Sequence, residues 1–145
     1  MSYSVFAAQH LLHWLKGAPF PAPPESLWLS LHGSLLDAQG RDELTQALFG
    51  SPSRLRCPTD LWGAVEGPDA EGACWVANTR DIILGRCRCS EPLPLHGIGL
   101  WDAEIGGQLI LRGTVLRDPN SLQQPTAVPG VVVLFGASRL KLRLQ

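Results

Sequence analysis

The chain carries little charge. Asp, Glu, Lys and Arg together make up 17% of its 145 residues, while 45% are apolar; a soluble domain ordinarily carries about 25% charge. So thin a polar coat points to surface that is covered in an assembly. Charge of one sign is lacking too: the net charge is −1, so no global field would draw the chain to nucleic acid or to an anionic membrane. Long apolar runs are missing, and none approaches the roughly 20 residues that a membrane-crossing helix needs; no membrane insertion is expected. Residues 1–16 show neither a basic region ahead of an apolar stretch nor a small-residue cleavage site, so synthesis and retention in a cytosol are expected.

The spacings that announce chemistry are missing as well. The four cysteines are Cys57, Cys74, Cys87 and Cys89, and no pair shows the two-residue gap of zinc sites. They read as reduced structural thiols, with a metal site completed by Cys74 or His96 as the weaker alternative. His10 and His13 are neighbours on one helical face without a third ligand a turn away. No serine sits in a glycine-flanked elbow, and the carboxylates are too scattered to form an acid–base pair. Gly97-Ile98-Gly99 lacks the third glycine of a phosphate-binding turn. Glycine there makes room for a facing Trp or a close strand. Arg86, Arg88, Arg112, Arg139, Lys141 and Arg143 could form a basic sheet face, yet no aromatic residues interleave with them. Solvated charges that discourage edge pairing are the simpler reading. The expectation is a non-enzymatic chain with no cofactor, no metal and no nucleic-acid partner.

What the sequence does have is punctuation. Twelve prolines and 15 glycines are spread along it, as in a protein of many short strands and turns. Its length suits one domain, residues 1–145. Val5, Ala8, Leu12 and Leu15 fall on one stripe of a helix over residues 4–16, with Ser2 or Ser4 as cap and Gly17 and Pro19 as the stop. A proline-rich connector runs to residue 24. The helix would either cover the sheet or pack on a neighbouring subunit. Leucines 27, 29 and 31 alternate as a strand. Asp42 could cap a short helix bearing Leu44, Ala47 and Leu48, closed by Gly50 and Pro52. Residues 57–72 read as turns. Strands are expected at 74–77, 82–89, 97–101, 108–112, 131–135 (a continuous apolar run, hence covered on both faces) and 139–144. Asp102, Gly106 and Gly107 define the turn of the hairpin between 97–101 and 108–112. The fold class is mainly β: an antiparallel β-sandwich, jelly-roll-like, with an N-terminal amphipathic helix.

Several segments in order resemble a known family. Leu11 to Gly17, Phe20, and then Pro23-Pro24-Glu25-Ser26-Leu27-Trp28-Leu29-Ser30-Leu31-His32 look like its opening helix, link and Leu-His strand. Asn78 before Asp81-Ile82-Ile83-Leu84, Gly97-Ile98-Gly99-Leu100-Trp101-Asp102-Ala103 with Gly106-Gly107-Gln108-Leu109-Ile110, and Phe135-Gly136-Ala137-Ser138-Arg139-Leu140 are similar to its later strands. Residues 33–73 lie outside the likeness. The family is that of small tail-fibre-like structural proteins of tailed bacteriophages. The resemblance implies a virion component made in the host cytoplasm, a homo-oligomer partnered by other virion structural proteins in a tail fibre or tail tip. Capsid decoration or head–tail joining is the alternative within that class. Trp14, Phe20, Trp28 and Trp101 are the expected interface anchors. A carbohydrate-binding module for a host surface glycan is the alternative from another class, with Trp62 and Trp75 as its contacts.

Overall fold

The computed structural model describes residues 2–34, 42–115 and 125–144. It is mainly β, and every strand pairing is antiparallel. In chain order the elements are β1 (Ser2–Tyr3), α1 (Val5–Leu15), β2 (Ser26–His32), α2 (Thr45–Phe49), β3 (Leu55–Pro58), β4 (Cys74–Ala77), β5 (Ile82–Arg86), β6 (Leu93–Pro94), β7 (Gly97–Trp101), β8 (Leu109–Thr114), β9 (Thr126–Ala127), β10 (Val132–Phe135) and β11 (Lys141–Leu144). A five-stranded sheet takes the order β1-β8-β7-β2-β3. Three two-stranded ladders pair β10 with β5, β11 with β4 and β6 with β9.

The period of two in β2 decides which side of the large sheet is core. Leu29 and Leu31 point one way, beside Ile98 and Leu100 of β7 and Cys57 of β3, and all five are buried. Leu48, Ile82, Cys87, Leu95, Leu140 and Leu142 complete the same cluster from α2, the ladders and the connecting segments. Each such side chain contributes roughly 1.5–3 kcal/mol by leaving water. The Cys57 thiol shares this fate, and burial pushes its pKa up to about 11.

Asn78 fastens the end of the chain to the middle. It is fully buried, donates through Nδ2 to the carbonyls of Arg80 (2.8 Å) and Gly136 (2.9 Å), and accepts from the Leu140 amide at 2.8 Å. Asp81 accepts from the Ala137 amide alongside it at 2.8 Å. At the far end of the β4–β11 ladder, Arg143 grips Asp69 and Glu71. The Arg143 hydrogen bond, with backbone N–H groups of residues 73 and 71, holds the Asp69 carboxyl below its ordinary pKa.

Several details differ from what the sequence suggests. The apolar run at 131–135 is not covered on both faces: in β10, Leu134 is 51% exposed and lies opposite Ile83 of β5, itself 60% exposed. Cys87 and Cys89 are joined in a disulfide rather than standing as separate thiols, and β5 ends before them at Arg86. Asp42 does not cap α2. Its carboxylate accepts from Ser34 instead, and Leu44 stands at the cap without a side-chain bond, while Gly50 closes the helix in the left-handed region at φ 72°. Strand β3 is not among the expected strands, and its last two residues, Cys57 and Pro58, fall at the start of the stretch read as turns. Its Pro58 falls at the strand's end and on the sheet's edge, where the missing N–H does little harm. Ser4 caps α1 by accepting from the Ala7 amide at 3.1 Å.

Candidate functional site

The side of the large sheet away from the main core carries the polar and aromatic residues. On β2 these are Ser26, Trp28, Ser30 and His32, alternate to the buried leucines. Strand pairing sets Trp28 between Arg56 of β3 and Trp101 of β7, directly opposite both. A register shift between Leu100 and Trp101 brings Trp101 against Leu109 of β8, and the two are buried with Trp28 packed on them. Gly99 makes this possible. A Cβ there would stand 2.8 Å from both the Ser30 hydroxyl and the Trp101 Nε1, a space no side chain could share.

Those two groups bond to one another. Trp101 Nε1 donates to Ser30 Oγ at 2.8 Å, and Ser30 Oγ lies 2.7 Å from His32 Nε2. A serine beside a histidine is the raw material of an activated nucleophile. Here both residues are buried, and the hydroxyl is occupied by the indole. The pair therefore acts as a polar pin inside the sheet, satisfying groups that would be costly to bury alone.

Arg54 is the hub of the adjoining turn. Its side chain is 6% exposed, and Nε and Nη2 hold both carboxylate oxygens of Glu43 at 2.9–3.2 Å. Nη1 donates to the carbonyls of Ala103 (3.0 Å) and Gly106 (2.6 Å). The guanidinium also lies 3.7 Å from the Trp101 ring centroid, close enough for cation–π attraction. Asp102 works on the same turn. Its Oδ1 accepts from the Gln108 amide at 2.7 Å. Gly106 and Gly107 adopt φ of 67° and 71°, and a Cβ at Gly107 would collide with the Asp102 carboxylate.

Beside this hub lies an open groove of about 500 Å³ lined by Pro24, Glu25, Ser26, Trp28, Arg56 and Asp102. A second hollow, of about 100 Å³ between Leu29, Phe49, Arg54 and Leu84, is too small for more than a few atoms. Among the described residues no three of His, Cys, Asp and Glu converge as a metal site.

The aromatic residues singled out in the sequence are dispersed. Trp14 and Phe20 stand at the end of α1 and on the connector, ring centroids 6.4 Å apart edge to face, and both are exposed. Trp28 is half-buried at the groove. Trp101 is 7% exposed beneath Arg54, which corrects its expected place as an outward anchor: the ring has no free face to offer. Trp62 packs against the main core, with its Nε1 buried and lacking a partner among the described residues. Trp75 faces Arg143 across its ladder, and its ring lies against Gly67. The sequence reading missed Ser30 with His32, although a Ser-x-His on a strand puts both on one face. It also missed Arg54 and Arg56, whose partners are remote in the chain. No protein-family model matches the chain, and a search of curated proteins finds no match either.

Proposed function

We propose that this chain is a non-enzymatic virion structural protein of a tailed bacteriophage, a tail-fibre or tail-tip component that works by assembling with other chains. Its large sheet and smaller ladders are taken as the layers of a jelly-roll-like sandwich, with α1 and the connector as an arm. The observation that carries the reading is the outward apolar stripe of α1. Val5, Leu12 and Leu15 are 46%, 62% and 67% exposed, and α1 buries none of its residues. A helix with that pattern gains stability only by burying its stripe against something. Trp14 and Phe20 extend the apolar surface along the same arm, and such aromatics dominate the energy of protein interfaces. The low charge content and the family resemblance agree with it.

Sedimentation of the purified chain beside a Leu12→Glu, Leu15→Glu variant tests the reading. The parent is expected to be a defined oligomer, and the variant a monomer with an unchanged circular dichroism spectrum. Immunogold labelling should find the protein on phage tails; labelling of the capsid or neck would favour the decoration or joining role. A parent chain that is strictly monomeric and absent from particles overturns the proposal.

A further inference from the structure

The groove at Trp28 lies apart from the α1 stripe, and its chemistry is of another kind. We propose that it is a binding subsite for a neutral carbohydrate. The volume of about 500 Å³ falls within the roughly 300–1,000 Å³ range of small-ligand sites. The half-buried indole of Trp28, which packs on Trp101 and Leu109, lines the groove. The rest of its lining is Pro24, Ser26, a cation at Arg56 and carboxylates at Glu25 and Asp102.

Each of these groups narrows the choice of ligand. Arg56 spends Nε on the Ser26 hydroxyl at 2.8 Å, which aims the guanidinium and leaves both terminal nitrogens free among the described residues. Glu25 has no partner among the described residues, and Asp102 commits only Oδ1 to its turn. The groove therefore presents donors and acceptors together around one flat apolar ring. An anion would meet two carboxylates. A cation would meet Arg56 directly opposite the indole. A purely apolar ligand would strip water from three charged groups with nothing in return. A pyranose avoids all three penalties: its C–H face lies on the indole, and its rim of hydroxyls both donates to carboxylates and accepts from a guanidinium. The groove is preformed, because β2, β3 and the turn fastened by Arg54 fix its walls independently of any ligand.

The test uses the full chain on a printed array of neutral oligosaccharides, sialylated oligosaccharides and immobilised choline, with Glu25→Gln, Arg56→Met and Trp28→Ala as variants. Binding to one or more neutral oligosaccharides is expected, weakened at least tenfold by Glu25→Gln and by Arg56→Met. Both residues are exposed, so their variants decide the matter even if Trp28→Ala, which empties part of a packed cluster, unfolds by circular dichroism. No neutral oligosaccharide bound, binding confined to the sialylated or choline spots, or neutral binding unchanged in both exposed variants overturns the proposal. None of these outcomes depends on the oligomeric state.

Discussion

Single residues hold more of this structure than their number suggests, and Arg54 holds the most. One buried guanidinium satisfies a carboxylate, two turn carbonyls and an indole face. Replacing it by Met leaves two carbonyls without their donor and Glu43 with the Thr45 hydroxyl alone, and breaking a buried pair from one side costs about 3–5 kcal/mol. Since Glu43 retains some access to water, Arg54→Met is expected to lose about 3 kcal/mol in urea unfolding. Cys57 gives a second check. With its pKa raised to about 11, the native chain keeps this thiol protonated at pH 8, so a thiol reagent should modify exposed Cys74 quickly and Cys57 only on unfolding. The folded state then binds a proton that the unfolded state releases from about pH 9 upward, and this contribution to stability declines as pH rises from 9 toward 11. Gly99 was readable in advance, because a glycine before a Trp in a strand signals a close approach. Arg54 was not. Its partners lie 11, 49 and 52 positions away, and no local pattern marks such a meeting.

Among the elements, those with a clean period were legible and those without it were not. The alternating leucines of β2 and β11 appear on the strands expected, and the hairpin of β7 and β8 turns where Asp102 and two glycines were noted. β3 escaped notice because Leu55-Arg56-Cys57-Pro58 is short, shows only one cycle of alternation and ends in proline. The apolar run of β10 misled for another reason: continuity of hydrophobic residues reports total burial only if both faces find cover, and here one face looks outward. The link between β4 and β5 depends on Asn78, whose amide completes the turn that leads into β11. Asn78→Ala removes three hydrogen bonds and leaves the buried Leu140 amide without its acceptor, while the Gly136 carbonyl keeps the Arg139 amide and the carbonyl of exposed Arg80 can turn to water. An expected loss of about 1–3 kcal/mol follows from leaving that one buried group unsatisfied. Thermal unfolding of the variant, with loss of amide protection first in β11, would bear this out; an unchanged midpoint would count against it.

For the molecule as a whole, the mainly β, antiparallel character was visible from turn residues and alternation. Which side of the sheet would carry chemistry was not, because it depends on how β3 and the turn at 102–107 close around Trp28. The described residues also present two contrasting outer surfaces. One is the polar groove, whose groups lose little by meeting water. The other is apolar, on α1 and on the β5–β10 ladder.

That ladder has a consequence for how the isolated chain behaves. Ile83 and Leu134 form an uncharged cross-strand pair, and among the described residues neither strand of the ladder has a further strand beside it. Free chains at high concentration are expected to associate through this strip by adding strand to strand, so the yield of dispersed material should fall as synthesis is driven harder.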